Sequence, residues 1–303
     1  QAAIAAFSAR DALRLPDYDA MLESAASVLR DLVLMTPPNS LLKPADLLAW
    51  IRLARRLLKC SREQQQSLLD LFTCSAAEFL ARWFESDMVR AAFAFDGVVG
   101  TFASPHSPGT AYVLLHHCFG EVNGKPGVWG HARGGMGAIA MAMARAAQEA
   151  GAEIRLAAPV TEVVVENGRA TGVRLQSGEQ IHATAIAAGV PPKLLYRDLI
   201  AATAVSAAEH ARFAGIASGS GTFRMNVALS ELPDFGCRPG THAQLHHGAG
   251  IVIGPDIAYL DRAYHTAALQ GWSAEPIVEM LIPSTLDPAL APAGMHVASL
   301  FVQ

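Results

Sequence analysis

The sequence lacks the features that mark several classes of protein. Only 17% of its 303 residues are charged, and a formal net charge of −4 leaves no excess of positive charge for a nucleic-acid surface. Charged residues soon interrupt each apolar run, so none reaches the roughly 18 residues that a transmembrane helix needs. The first residues also lack the basic and apolar segments of a secretory signal peptide. Since 51% of the residues are hydrophobic, too many for a disordered chain, we predict a globular protein with no transmembrane segment and no nucleic-acid partner.

The four cysteines, Cys60, Cys74, Cys118 and Cys237, include no C-x-x-C pair. A disulfide framework or a zinc ribbon therefore has no support in the sequence. We expect buried thiols in a reducing compartment, either the cytoplasm or the mitochondrial matrix. Because the sequence opens on Gln and stops within the strand-like run 300–303, we also expect a fragment of a longer protein.

Most motifs of known chemistry are absent or incomplete. No G-x-S-x-G nucleophile elbow occurs, and residues 120–125 fall one residue short of a P-loop, with Pro126 in place of the magnesium-binding Ser or Thr. His242 and His246 have the four-residue spacing of metal ligands on a helix, but no H-E-x-x-H glutamate lies between them. We expect histidines in a loop without a metal, and no side chain is identified as a catalytic acid, base or nucleophile.

Hydrophobic periodicity predicts that the first third of the chain is helical. Apolar residues spaced by three and four favour helices, and proline constrains the residue before it and cannot continue a helix. Ser75 with Glu78 three residues later has the form of a capping box. The predicted helices, which we interpret as a cap or insertion, cover Asp17–Leu34 (ended by Thr36–Asn39), Leu47–Lys59, Arg62–Phe72 and a segment after Ser75.

The remainder of the chain predicts loops, one long helix and a series of strands. Residues 97–137 are rich in Gly and Pro and are predicted to be loops. An Ala-rich helix is predicted over Met136–Ala150, ended by Gly151. Asn167-Gly168 predicts a hairpin. Strands are predicted over Val160–Val165, Ala170–Leu175, Gln180–Ala187, Thr222–Leu229, Gly250–Ile253, Ile277–Ile282 and His296–Val302, with a further helix over Tyr259–Leu269.

The segment Gly135–Ala140 fits the dinucleotide fingerprint G-x-G-x-x-A and opens the predicted long helix. That fingerprint requires a hydrophobic strand before its first glycine, and residues 125–133 do not form one, which disfavours a Rossmann phosphate loop. The glycines still allow the backbone to approach a ligand or another chain segment closely. Arg133 beside them could contact an anion or pair with a carboxylate, and the sequence leaves both open.

Several segments together resemble one family of flavoproteins. They are Trp129–Gly137 with the helix after it, Gly151–Arg155, Asn167–Val173, Phe84–Asp87 and Ser284–Pro288. In combination they resemble FAD-dependent oxidoreductases of the phytoene desaturase-like group, and the resemblance covers nearly the whole chain.

The resemblance implies an α/β fold, the FAD/NAD(P)-binding flavoprotein fold, represented by its middle portion with a helical cap and a mixed-sheet substrate domain. Residues 1–125 would form the helical cap or substrate region. Residues 126–193 would supply the middle part of the FAD-binding domain, a helix with a β-meander, and residues 194–303 the sheet region of the substrate domain.

The resemblance also implies which residues contact FAD. The glycine turn would lie near the flavin ring and the substrate cavity, and the backbone at the start of the first meander strand would meet the adenine end. A third segment would close over the nucleotide, although relatives carry a Ser-Asn-Ala type sequence where this chain has Ala-Ala-Gly. The implied cofactor-binding residues are Gly134, Gly135, Met136, Gly137, Ala138, Val160 and Ala188.

The function implied is hydride transfer between flavin and an organic substrate, which we expect to be an apolar small molecule. The alternative is a non-enzymatic binding or regulatory protein that retains the flavoprotein fold. No strand followed by G-x-G-x-x-G precedes residue 127 and no terminal Gly-rich flavin segment follows, so we expect this chain alone to bind FAD poorly. A homo-oligomer and peripheral membrane contact are both left open, and no amphipathic helix in the sequence requires the latter.

Overall fold

A computed structural model describes residues 1–33, 35–36, 44–217 and 219–303. The chain divides into two compact units, the first made of Gln1–Ala138 with Ser220–Gln303 and the second of Ile139–Gly219. The helices are α1 (Ala2–Ala5), α2 (Ala9–Val33), α3 (Pro44–Leu57), α4 (Arg62–Thr73), α5 (Ala76–Trp83), α6 (Asp87–Val98), α7 (His116–Phe119), α8 (Met136–Glu149), α9 (Pro192–Leu194), α10 (Ala207–Ala214) and α11 (Ile257–Gln270). The strands are β1 (Glu121–Val122), β2 (Lys125–Pro126), β3 (Val160–Glu166), β4 (Arg169–Leu175), β5 (Gln180–His182), β6 (Phe223–Leu229), β7 (Ile251–Ile253), β8 (Val278–Leu281) and β9 (His296–Val302).

The core of the first unit lies among its helices. Tyr18 on α2 is 1% exposed and its ring contacts three other aromatic rings, with centroids 5.0–5.5 Å apart, from Trp83, Phe84 and Phe93. Edge-to-face and tilted ring pairs of this kind stabilise a core beyond the burial of their area. They hold α2 against the segment from α5 to α6.

The predicted first helix begins eight residues earlier than the periodicity indicated. Ser8 accepts a hydrogen bond from the Asp11 amide at 3.0 Å, so α2 starts at Ala9. Pro16 lies inside this helix. Leu34 and the predicted stop at Pro37–Asn39 lie outside the described residues.

The next three helix predictions are confirmed as α3, α4 and α5, and the predicted limits of α3 and α4 agree within three residues. Ser61 and Gln64 form a reciprocal capping box at the start of α4. Ser75 accepts from the Glu78 amide at 3.1 Å and begins α5, but the Glu78 carboxylate pairs with Arg82 instead of completing a box.

The region expected to be loops, 97–137, contains more regular structure than its composition indicated. The helix α6 reaches Val98, a 3₁₀ turn covers Thr110–Leu115, and α7 follows directly. The strands β1 and β2 form a small antiparallel hairpin. The helix α6 was not predicted from the sequence. Its residues are buried on one side against the aromatic core.

The sheet of the first unit has the order β6-β9-β8-β7, with antiparallel neighbours throughout. All four strands were predicted, each within two residues of its observed limits. Arg224, Phe301, Glu279 and Val252 lie opposite one another across the four strands. Since side chains alternate along a strand, these four share one face of the sheet.

The second unit contains most of α8 and the meander β3-β4-β5. Asn167 and Gly168 have φ values of 52° and 75°, the left-handed conformations that a two-residue hairpin turn requires. Gly151 ends α8 with a φ of 90°, as predicted. The strand expected over Gln180–Ala187 is shorter, because β5 ends at His182.

The predicted division at residues 125 and 193 stays a prediction. The helices α1–α7 and the sheet β6–β9 belong to the same compact unit.

In the described ranges no helix is both long and apolar enough to cross a bilayer. All four cysteines are free thiols, but Cys237 is exposed, so the expectation of buried thiols is wrong for that residue.

Candidate functional site

A glycine turn leads into α8 in the first unit. Gly134 and Gly135 have φ values of 80° and 77°, a left-handed backbone that costs other L-residues roughly 1–2 kcal/mol each. The Gly135 amide donates to the carbonyl of Ala132 at 2.9 Å, and the Ala138 amide donates to the carbonyl of Gly135 at 3.1 Å. These bonds shape a tight turn whose next residue, Met136, is 80% exposed.

The carboxylate of Asp287 anchors this turn. Its oxygens accept hydrogen bonds from the Gly134 amide at 2.7 Å and from the Ala289 amide at 3.1 Å. The bond from Gly134, and then that from Ala289, lower the pKa of Asp287 because both favour the charged form. Asp287 therefore fixes the backbone of a turn that lies 153 residues away in sequence.

The start of α8 leaves backbone donors available. The first N–H groups of a helix have no partner inside it. Within the described residues, the amides of Met136 and Gly137 have no acceptor outside the helix either. No atom lies within 4 Å of the place where a Cβ on Gly137 would be. The turn thus offers two donors with open space beside Gly137, an arrangement that can bind an anion or another hydrogen-bond acceptor.

The seven predicted cofactor residues are divided between the two units. Gly134–Ala138 are in the first unit, whereas Val160 and Ala188 are in the second. Val160 is the first residue of β3 and pairs with Leu175 across the hairpin. Ala188 lies in an irregular, exposed segment after β5 and has only backbone polar groups to offer. Their contact with FAD stays a prediction.

Sequence reasoning missed a cluster of titratable side chains in the first unit. The Nε2 atom of His117 on α7 lies 2.9 Å from Oδ1 of Asp96 on α6, and both side chains are about one-third exposed. Glu279 on β8 is close enough for its charge to act on both. The three residues come from three separate elements, and no local pattern links them in the sequence.

The pKa shifts in this cluster have identifiable causes. Asp96 raises the pKa of His117, mainly through their side-chain contact, against an opposing effect of burial. Burial and then the charge of Asp96 raise the pKa of Glu279, while His117 and Arg224 lower it. A cluster with two carboxyl groups and one imidazole can hold or move a proton near neutral pH.

Trp129 connects this cluster to the loop of the glycine turn. Its ring centroid lies 5.1 Å from that of His117 and 6.0 Å from that of His116, and Trp129 is 63% exposed. Trp129 is five residues before Gly134 in the chain. The titratable cluster and the glycine turn therefore belong to one continuous part of the first unit.

We expect Asp96→Asn to remove a pH-dependent part of the stability. The folded-state pKa of His117 is raised from its ordinary 6.5, so the contribution is fully present below about pH 6.5 and is lost as pH rises through the folded value. Because both groups are partly exposed, the contribution is at most about 1 kcal/mol. Denaturant unfolding at about pH 5.5 and about pH 8.5 measures it, bracketing the histidine value. An equal difference between wild type and variant at both pH values would contradict the assignment.

The other candidate histidines do not gather into a metal site. The His242 ring lies beside Gly240, and the His246 ring contacts that of His247 with centroids 4.0 Å apart. His247 is fully buried, and its Nε2 is 3.0 Å from the carbonyl of Pro233. Over the described ranges no three His, Cys, Asp or Glu side chains are placed to hold a metal ion.

Comparison with known proteins places these features in a family. The family model for flavin containing amine oxidoreductases matches residues 8–222, which include the glycine turn, Asp96 and His117. Pyridine nucleotide-disulfide oxidoreductase domain-containing protein 2 is 34% identical over the whole of this chain in both Rattus norvegicus and Mus musculus. A lycopene-forming phytoene desaturase from Pseudescherichia vulneris is 27% identical over 75% of the chain.

The chain spans about half the length of the curated relatives it matches, 54% for the rodent proteins and 42% for the desaturase. Among solved structures, a protein from Pyrococcus furiosus shares 16% identity over 84% of this chain and 53% of its own, with a TM-score of 0.47. The resemblance to phytoene desaturase-like proteins, the α/β flavoprotein fold and the flavin cofactor are confirmed by the family match. The chain belongs to the flavin containing amine oxidoreductase family.

Proposed function

We propose that this protein is an FAD-dependent oxidoreductase that transfers hydride between an organic, apolar substrate and flavin. The observation that carries the proposal is the glycine turn at Gly134–Gly135, which Asp287 holds and which is followed by Gly137 with open space at its Cβ position. Glycine takes the left-handed conformation without strain, and without a Cβ it lets the backbone come close to a bound molecule.

The protein's part in this chemistry is to bind, orient and manage protons. When bound, the flavin ring supplies the capacity to accept or give a hydride. The amides of Met136 and Gly137 would hold the polar edge of the ring, and Asp287 would keep the turn in the shape that presents them. Asp96 and His117 would hold the proton that accompanies transfer, since the imidazole lies 2.9 Å from the carboxylate and the charge of Glu279 also acts on it.

The apolar substrate is proposed from the relatives. Phytoene desaturases, as their name states, act on phytoene, and 4,4'-diapolycopene oxygenase from Methylomonas sp is 27% identical over 57% of this chain. The mean hydropathy of +0.26 is compatible with a protein that receives such a molecule.

Flavin retention tests the role of the turn. In the protein expressed from its natural gene, we expect Gly135→Ala to weaken FAD binding by about tenfold or more, because a left-handed alanine costs about 1 kcal/mol or more and shifts the donors. The added Cβ would also lie 3.4 Å from Leu290, so the turn cannot move freely. Quenching of flavin fluorescence on titration gives the dissociation constant.

Gly294→Ala is the matched control. Gly294 has a φ of 79°, and no atom lies within 4 Å of the place where its Cβ would be, so the substitution carries the same backbone cost outside the turn. Equal loss of FAD in both variants would show a general effect of strain and would remove the turn from the cofactor site.

Anaerobic bleaching of bound flavin by phytoene, used as the first apolar probe, separates the enzyme from a binding protein that only retains the fold.

A further inference from the structure

The helix α3 exposes an apolar stripe that no described part of the protein covers. Leu47, Ile51 and Leu58 are spaced by four and seven residues and therefore lie on one side of the helix. They are 47%, 39% and 76% exposed. Leu58 lies just past the last residue of α3, but its amide donates to the carbonyl of Ala54 at 2.9 Å and so continues the helical turn. We call these three residues the apolar stripe.

A second stripe on the same helix is cationic. Arg52, Arg55 and Lys59 are spaced by three and four residues, are exposed, and form no ion pair with any acidic side chain that the structure describes. The segment Pro44–Lys59 has four cationic residues and a single acidic one, in a protein whose net charge is −4. We call Arg52, Arg55 and Lys59 the cationic stripe.

A third side of α3 attaches the helix to the protein. Leu53 and Leu57 are half-buried, and Leu57 packs against the core of the first unit. The apolar stripe is therefore not the core-facing side of an ordinary amphipathic helix. Trp50, 41% exposed, lies beside it, and tryptophan is enriched where membranes meet water.

We propose that α3 docks on the surface of an anionic lipid bilayer. The apolar stripe enters the boundary between headgroups and acyl chains, and the cationic stripe contacts lipid phosphates. A helix with aromatic and aliphatic residues on one side and Lys/Arg on another is the pattern of helices that lie in the interface plane. The inference rests on α3 alone and not on the function proposed above.

Charge favours a bilayer over a second copy of this chain. Two copies joined through this side would bring their cationic stripes towards one another, which is unfavourable where water is excluded. A bilayer offers binding partners for both stripes in one surface. Its acyl chains can contact the apolar stripe, and its phosphates can contact the cationic stripe. It requires no matching side chains from a partner.

Flotation with lipid vesicles tests the proposal on the purified full chain. We expect the wild type to float with vesicles of phosphatidylcholine and phosphatidylglycerol in equal parts, with a preference over pure phosphatidylcholine of about tenfold to a hundredfold. Salt should reduce that preference, since the Debye length falls to about 3 Å at 1 M.

Three variants separate the contributions. Leu47→Gln/Ile51→Gln/Leu58→Gln should lose binding to both kinds of vesicle, and Arg52→Gln/Arg55→Gln/Lys59→Gln should lose only the anionic preference. Arg52→Lys/Arg55→Lys should retain it, because phosphates at a membrane surface respond to charge and not to a bidentate fork. The matched control is Leu13→Gln/Leu245→Gln/Leu269→Gln, which changes leucines 78%, 94% and 85% exposed elsewhere and should bind as wild type.

Three outcomes overturn the proposal. The first is a wild type that stays at the bottom of the gradient with both vesicles. The second is an apolar-stripe or neutralised cationic-stripe variant that floats with the anionic vesicles as well as wild type, while circular dichroism shows both proteins to be folded. The third is a dimer, seen by sedimentation velocity and abolished by the apolar-stripe variant, which would assign this side to a second copy.

Discussion

Replacing Asp11 with alanine is expected to lower the free energy of unfolding by about 3–5 kcal/mol. Asp11 is 0% exposed, and its two carboxylate oxygens accept hydrogen bonds from the amides of Glu85 and Ser86, each at 2.9 Å. Alanine removes both charge-assisted bonds and leaves two partly buried backbone donors without their partner. Equilibrium unfolding in urea measures the difference.

The expected loss extends beyond one contact because of where these amides lie. Ser86 is the N-cap of α6, so Asp11 ties the start of α2 to the start of the helix that carries Asp96. Asp17→Ala, an exposed change on the same helix, is the control and should stay within about 0.5 kcal/mol. An Asp11→Ala protein as stable as this control would contradict the role assigned to the buried carboxylate.

Gly172→Ala is expected to disrupt the meander of the second unit. A Cβ at residue 172 would overlap the carbonyl oxygen of Ile181 and would lie 3.2 Å from the Cα of His182. Both neighbours are backbone atoms of the paired strand, so β4 and β5 can accept the methyl group only by moving apart. We expect a loss of about 3 kcal/mol.

Hydrogen exchange localises the effect of Gly172→Ala. Amides of β4 and β5 should lose protection, while those of α5 and α6 in the first unit keep theirs. Gly189→Ala, also in the second unit and with open space at its Cβ position, should leave protection unchanged. Loss of protection spread evenly over both units would contradict a local clash. Since β3 of the same meander carries Val160, the substitution also tests whether this segment contributes to FAD affinity.

Local patterns were sufficient for much of the fold. The capping residues Ser61 and Ser75, the stop at Gly151 and the turn at Asn167-Gly168 each act through neighbours within four residues. Such interactions involve residues that are close in sequence. Most predicted helix and strand limits therefore agree with the observed ones within a few residues. The start of α2 was missed because the prediction followed the apolar periodicity from Met21 onward, whereas the helix begins after Ser8, before that periodicity.

The candidate site depended on contacts that local sequence does not contain. Asp287 reaches Gly134 across 153 residues, and Asp96, His117 and Glu279 belong to two helices and a strand. Asp287 lies within the segment Ser284–Pro288 that resembles the family, so the resemblance marked the segment without indicating its partner. Strand order in the sheet, β6-β9-β8-β7, likewise follows from tertiary packing and not from any periodicity.

The bond from Gly134 to Asp287 sets an order of events during synthesis. The ribosome makes residue 134 long before residue 287, and domains begin to fold while the chain is still emerging. The strand β6 can likewise pair with β9 only after residues 296–302 have been synthesised. The glycine turn therefore gains its anchor only once the segment between β8 and β9 has been made. If this turn binds flavin as proposed above, it would do so only after these later residues have been translated.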